Sequence, residues 1–241
     1  MKILFVGDSI TKGTLGTSFI KIIQYENPGY NIKNAGLNGD TFSHISERLL
    51  QELSKNPDYD GVVLQGGYND LILPYFQQKG KLFQFALKEQ LKKGLWPLTS
   101  ALDFENAWRR TVQEVKRIFK GKLVLTTIGC INEDLHFTLN FQRAAYNTAI
   151  RKVAQEEATL LADSGLKYDQ ILSINSQTNY FLESFWAVTL TDPVVSHTKK
   201  GPDWLSRKRH LQLTIDGVHL NNAGARIFKV CIIEQLQKLK P

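Results

Sequence analysis

The sequence predicts a three-layer α/β/α fold built around a parallel sheet. Three observations carry that expectation. Short apolar runs rich in β-branched residues alternate with amphipathic helical patterns along the chain. The run Val62-Val63-Leu64 is continuously apolar, which suits a strand buried on both faces. Helical patterns connect successive runs, and crossovers of that kind produce a doubly wound sheet. Five such strands are expected in the flavodoxin-like order 2-1-3-4-5. The 241 residues are read as a single domain, 1–241, large enough to bury a core without disulfide or metal staples.

Each element has its own signal. Lys2 to Val6 is the first strand. A helix is expected from Thr17 to Glu26, stopped by the turn cluster Asn27-Pro28-Gly29. Tyr30 to Lys33 is a short second strand. Ser43 to Ser54 places Ile45, Leu49, Leu50 and Leu53 on one helical face. Gly61 to Gln65 is the third strand. From Leu71 to Leu102 the alternation breaks, and this is read as an insertion with a helix near Lys81 to Lys92. Asp103 then caps a helix to Lys120, with Phe104, Ala107, Trp108, Val115, Ile118 and Phe119 on its core face. Lys122 to Ile128 is the fourth strand, Asn140 to Ala162 a long helix, and Gln170 to Ile174 the fifth strand. Tyr180 to Leu213 is a second irregular insertion. The last helix is expected from Ala223 to Leu239, with Asn222 at its N-cap and Ile227, Val230, Ile233 and Leu236 facing inward.

Composition narrows the function classes. Apolar residues make up 42% of the chain and charged residues 22%, as in ordinary globular proteins. The net charge is +7, but the basic residues are spread over many helix faces and form no nucleic-acid-binding module, so no nucleic-acid partner is expected. The densest cluster, Lys199-Lys200 with Arg207-Lys208-Arg209, is read as solvated. No apolar run approaches the length of a membrane span, so no membrane insertion is expected. The first residues lack the apolar region of a signal peptide. Cys130 and Cys231 fit neither a metal nor a redox spacing and are read as buried thiols of a reduced, cytoplasmic protein.

The chemistry concentrates where strands end. Phe5-Val6-Gly7-Asp8-Ser9-Ile10-Thr11 crosses from the first strand into a turn, at the edge where reacting groups collect in open α/β sheets. Ser9 is the candidate nucleophile. The same residues also suit an ordinary turn in which Asp8 and Ser9 cap backbone amides. Near the other end stands Thr214-Ile215-Asp216-Gly217-Val218-His219-Leu220. An aspartate three residues before a histidine can take the Nδ1 proton and leave Nε2 as a base, which a serine hydroxyl needs. Asn34 to Thr41 and Gly66 to Asp70 follow the second and third strands. Gly39 and Asn69 there can offer N–H groups to an oxyanion beside the Ser9 N–H. Turn and Asx-turn roles account for the same residues taken one by one. Their conjunction, one component per strand-end loop, points to acyl transfer.

Together, Gly7-Asp8-Ser9-Ile10, Asn38-Gly39-Asp40-Thr41, Gly67-Tyr68-Asn69-Asp70 and Asp216-Gly217-Val218-His219 resemble blocks I, II, III and V of the SGNH (GDSL) hydrolase family. They stand in the family's order and bracket nearly the whole chain. The resemblance implies Ser9 as nucleophile, His219 as general base and acid, Asp216 as its orienting partner, and Ser9, Gly39 and Asn69 as the oxyanion hole. Asp8, Tyr68 and Asp70, inside the same motifs, are expected to contact substrate. Family members are esterases, thioesterases, lysophospholipases and carbohydrate acetylesterases, mostly with no metal or cofactor, and none is expected here.

Other motifs are absent. Lys12-Gly13-Thr14 has the wrong order for a phosphate loop, and no Gly-x-Ser-x-Gly elbow surrounds Ser9. Ile10 stands where a haloacid-type phosphatase needs a second aspartate. No His-Glu-x-x-His or clustered ligand set suggests a metal. His44, His136, His197 and His210 are read as surface or packing residues, with His44 near enough to the Gly39 loop to meet a substrate.

The two insertions fall on the active-site edge. Tyr75, Phe76, Phe83, Phe85 and Leu95 to Leu98 suit an apolar pocket, and equally a satellite core that holds long loops down. The favoured activity is hydrolysis of a small-molecule carboxylic ester through an acyl-enzyme, with a short-acyl or O-acetyl ester first and a longer-chain lysophospholipase or thioesterase substrate second. A non-catalytic binding member of the fold is the remaining alternative. Activity is expected to fall as His219 protonates, near or below roughly pH 6.5.

Overall fold

A computed structural model describes residues 1–175, 178–198 and 201–238. The central sheet contains β1 (Lys2–Gly7), β2 (Asn31–Gly36), β3 (Gly61–Leu64), β4 (Lys122–Thr126) and β5 (Leu160–Ala162). Its order is β2-β1-β3-β4-β5 and every pairing is parallel, as the sequence predicts. β2 lies at an edge and is mostly exposed, while β1 and β3 are buried along nearly their whole length.

The helices before and after the first insertion are α1 (Ser9–Lys12), α2 (Phe19–Glu26), α3 (Phe42–Lys55), α4 (Tyr68–Tyr75), α5 (Lys81–Lys92), α6 (Ala101–Ile118) and α7 (Thr138–Glu156). After β5 come α8 (Ser164–Asn175), a π-helical turn at Ala187–Thr191, α9 (Asp192–Ser196), α10 (Gly201–Lys208) and α11 (Asn222–Gln237). α11 packs on α2, α8 and β5, and α6 packs between α3 and α7. Each side of the sheet has its own aromatic ladder. Phe19 of α2 stacks on Phe228 of α11 at 5.5 Å, with Phe5 of β1 and Tyr168 of α8 at the edges. On the other side Phe42 stacks on Trp108 at 4.3 Å and Phe104 on Tyr146 at 4.0 Å. Offset and edge contacts of this kind hold more than their buried area alone.

The fifth strand lies elsewhere than expected. It is Leu160–Ala162, and Gln170 to Ile174 belongs to α8. The long helix ends at Glu156 because Ala158 turns left-handed, at φ 48°, with Thr159 N bonded back to Ala154 O. In α8 only Leu172 of the Ile171-Leu172-x-Ile174 run is buried, and Ile174 is 76% exposed, which a central strand would not allow. Smaller shifts occur at helix ends. Ser100, not Asp103, caps α6, taking the Leu102 and Asp103 N–H groups, and Ile118 is exposed. Asn221, not Asn222, caps α11 through the Gly224 N–H. The buried stripe of α11 is Phe228, Cys231, Ile232 and Leu236, so Val230 faces outward and Ile227 and Ile233 are only half-buried. Leu239, the expected end of that helix, lies outside the described residues.

Cys130 and Cys231 are both buried free thiols. No helix among the described residues is long and apolar enough to cross a membrane.

Trp108 anchors the second ladder and is fully buried. Trp108→Ala is expected to destabilise the fold by about 3–5 kcal/mol. Denaturant unfolding, followed by far-UV circular dichroism, measures it.

Candidate functional site

Ser9 opens α1 two residues after β1 ends. Asp8 caps that helix by accepting the Ile10 N–H at 2.9 Å. Gly7 permits a close approach. A Cβ on Gly7 would sit 2.2 Å from Thr11 Oγ1 and 2.5 Å from Gln65 Oε1. Gln65 explains that crowding. Its Nε2 donates to Asp8 Oδ2 at 2.9 Å, and its Oε1 accepts from Asp8 N and from Thr11 Oγ1. Sequence reasoning missed Gln65, whose only signal is a polar residue ending an apolar strand.

At the far end of the chain, Thr214 and Leu220 form an antiparallel bridge, and Ile215 N donates to His219 O at 2.8 Å. The turn between them folds around Asp216. Its Oδ1 accepts the Val218 and His219 N–H groups at 3.0 and 2.8 Å. Its Oδ2 lies 2.7 Å from His219 Nδ1. His219 Nε2 lies 3.1 Å from Ser9 Oγ. Ser9, His219 and Asp216 are therefore brought into one hydrogen-bonded series.

Gly39 and Asn69 border the same cleft as Ser9 and His219. Asn69 sits in the first turn of α4, and its Nδ2 donates to Asp40 O at 2.9 Å, which leaves its second N–H unused. Neither the Ser9 nor the Gly39 N–H makes a hydrogen bond among the described residues. Arg48, also missed in the sequence, holds this loop. Its Nε donates to Ala35 O and its Nη2 to Gly7 O, each at 2.8 Å, and Nη1 pairs with Asp40.

The expected substrate contacts divide. The Tyr68 ring borders the cleft, but its hydroxyl is buried and accepts the Gly129 N–H at 2.7 Å. Asp8 and Asp70 lie behind the cleft. Asp70 accepts the Phe42 and Leu98 N–H groups, each at 2.9 Å, and so ties α3 and the end of the first insertion to α4. Burial raises both carboxyls, Asp8 to about 6 and Asp70 to about 7. His44 is half-buried near Gly94 and does not border the cleft.

The cleft has a volume of about 420 Å3 and a largely apolar wall. The first insertion contributes Ile72, Leu73, Phe76, Phe83 and Ala86 to it. The second contributes Leu182, Phe185, Val188 and Pro193. Phe83 meets Phe185 edge-on at 5.5 Å, and Lys79 Nζ donates to Leu182 O at 3.0 Å, so the two insertions hold each other. The pocket and satellite readings both apply, to different rings. Phe76 and Phe83 line the cleft, Tyr75 packs on Phe137 and Phe181, and Phe85 and Trp96 are exposed.

The basic cluster is not uniformly solvated. Arg209 forms a two-pronged ion pair with buried Asp192 at 2.7 and 2.8 Å and also donates to Ile215 O. Arg207 and Lys208 are exposed. Lys199 and Lys200 lie outside the described residues. Among the described residues no group of three or more His, Cys, Asp or Glu side chains could hold a metal ion.

The GDSL-like lipase/acylhydrolase family matches residues 5–227, and the chain belongs to that family. It is thereby a carboxylic ester hydrolase. No curated protein matches the sequence. Solved structures share its fold. Axe2, an acetylxylan esterase from Geobacillus stearothermophilus, is 20% identical over 98% of this chain and 93% of its own, with a TM-score of 0.62. The acetyl xylan esterase AlAXEase is 20% identical over 97% and 98% of the two chains, with a TM-score of 0.65. LAE5, an α/β hydrolase from the metagenome of Lake Arreo, Spain, is 17% identical over 100% and 96%, with a TM-score of 0.66.

Burial alone would pull the His219 pKa down, but the Asp216 charge and hydrogen bond outweigh it and raise the pKa above the ordinary 6.5. Proton NMR titration of the His219 ring is therefore expected to give a midpoint above 6.5. In Asp216→Asn the raising charge is gone, and the midpoint is expected to fall below that of the parent.

Proposed function

We propose that the chain is a serine esterase whose acyl group is an apolar chain longer than acetyl. The observation that carries this is the series Ser9–His219–Asp216 at the edge of an apolar cleft. In the proposed reaction Ser9 Oγ attacks the ester carbonyl while His219 Nε2 takes its proton. The oxyanion that forms is received by the N–H groups of Ser9 and Gly39 and the second Asn69 Nδ2–H. The C–O bond breaks as His219 returns the proton to the leaving alcohol. Water, activated by His219, then releases the acid from Ser9.

The apolar wall of the cleft supports the longer acyl chain. An acetyl group has one methyl to set against the apolar wall, whereas a longer acyl chain can set several methylenes against it. Each further buried methylene contributes about 0.8 kcal/mol, roughly fourfold in kcat/KM. This favours the longer acyl chain over the short-acyl ester that the sequence places first. An O-acetyl ester of a sugar remains the second reading, supported by the acetylxylan esterases among the structural neighbours.

A p-nitrophenyl ester series from acetyl to dodecanoyl, run with the parent and Ser9→Ala, tests both points. kcat/KM is expected to rise with acyl length over the first several carbons and to vanish in Ser9→Ala. A maximum at acetyl would select the second reading, and activity surviving in Ser9→Ala would overturn the serine mechanism.

Two further outcomes follow from the site. Asn69→Ala is expected to lower kcat on the order of a hundredfold or more, measured under saturating ester. The acid limb of kcat/KM is expected to have its midpoint above pH 6.5, because the base must be neutral and Asp216 raises its pKa. A rate that stays flat from acid to neutral pH would remove His219 as the base.

A further inference from the structure

One fully buried carboxylate has no part in the proposed reaction, yet it is bonded to the segment that leads into the Asp216–His219 turn. Glu133 lies in the loop after β4. Its Oε1 accepts from Leu213 N at 2.8 Å, Thr214 N at 2.7 Å and Thr214 Oγ1 at 2.8 Å. Its Oε2 accepts from Gln212 N at 2.6 Å. A carboxylate has only acceptor sites, and here they meet only donors. A buried carboxylate is costly unless it is bonded this fully.

The hold continues along the chain. Thr214 Oγ1 gives its proton to Glu133 and accepts the Gly217 N–H at 3.1 Å. From beside Glu133, Asn132 N donates to Gly217 O at 2.7 Å. Gly217 is thus fixed at both its N–H and its carbonyl. It needs that fixing, because its φ of 91° is a backbone state that glycine enters and leaves freely. A Cβ there would also lie 2.4 Å from Tyr180 O. Asp216 and His219 stand immediately to either side of this residue pair, Gly217-Val218.

We infer that Glu133 is a positioning residue for the Asp216–His219 turn, acting through Thr214 and Gly217 to set where His219 reaches toward Ser9. This rests on the serine esterase reading above. Glu133 does not border the cleft, so it acts on turnover and not on ester binding. Glutamine has the same shape but carries an NH2 group, so in Glu133→Gln at least one backbone N–H faces another N–H.

The test compares the parent, Glu133→Gln, Thr214→Val and Ser9→Ala on one soluble p-nitrophenyl ester. Active-site titration gives kcat per working site. In Glu133→Gln, kcat per site is expected to fall about tenfold or more with KM within about twofold, since small misplacement of a base is costly. The downfield proton resonance of the His219 Nδ1–Asp216 bond is expected to shift or broaden. Thr214→Val keeps the other bonds to Glu133 and is expected to change both readouts in the same direction by less. A merely structural role would lower the number of working sites and leave kcat per site and the resonance at parent values, and that result would overturn the inference. If Glu133→Gln does not fold, the same readouts in Thr214→Val decide. Activity surviving in Ser9→Ala would instead remove the serine reading beneath it.

Discussion

Ser9 Oγ and His219 Nε2 are 3.1 Å apart in space and 210 residues apart in the chain. Closing that gap is the constraint on which the site depends. Loop-closure entropy grows slowly with length, so the cost of so long a closure is modest once the sheet has formed. The alignment is what needs support. α2 and α11 pack together over β1, with Phe5, Phe19 and Phe228 in continuous contact. The loop after α1 is joined to the segment just past His219, with Thr17 N donating to Leu220 O at 2.7 Å and Thr17 Oγ1 to Asn222 Oδ1 at 2.9 Å. A Cβ on Gly16 would lie 2.3 Å from Leu220 O, so the two backbones pass as closely as glycine permits. The first strand and the last helix thus act as one clamp.

Beneath the clamp lies a layer of buried polar groups. Asp8 with Gln65, Arg48 with Asp40, and Asp70 with two backbone N–H groups each satisfy one another. They join loops that the sheet brings near but does not itself fasten. β1 and β3 carry Ser9 and Asn69 to the same edge, yet their ladder ends before either residue. Beyond the ladder, directional hydrogen bonds replace strand pairing. Apolar packing there would bury the loops without fixing their rotation, and rotation is what decides whether an N–H faces the cleft.

The strand order and the residues meeting at the sheet edge were legible because each has a local signature. Continuous apolar runs mark β1, β3 and β4, and the four motifs name their own loops. β5 was not legible. Leu160-Leu161-Ala162 is three good helix formers directly after a helix, and the break is made by Ala158 in a left-handed state that no glycine announces. Arg209 looked solvated because it stands in a basic run, and only the fold brings Asp192 to it. Gln65, Arg48 and Glu133 were illegible for a shared reason. Each is an ordinary polar residue with a partner 41 to 81 positions away, most often a backbone atom that carries no residue identity.

The division of labour between core and insertions follows from the same physics. Ser9 stands two residues past β1, and the Asp216–His219 turn is held by Glu133, Asn132 and the loop after α1. The cleft wall comes from two insertions that touch the sheet little and brace each other through Phe83, Phe185 and Lys79. The second insertion is also bonded to the Asp216–His219 turn, with Leu182 N donating to Asp216 O at 2.9 Å and Arg209 Nη1 to Ile215 O at 2.7 Å. The proposed chemistry and the proposed acyl preference therefore meet at Leu182, which lines the cleft and bonds to Asp216. The proposed ester preference rests on the apolar wall and not on the shared fold.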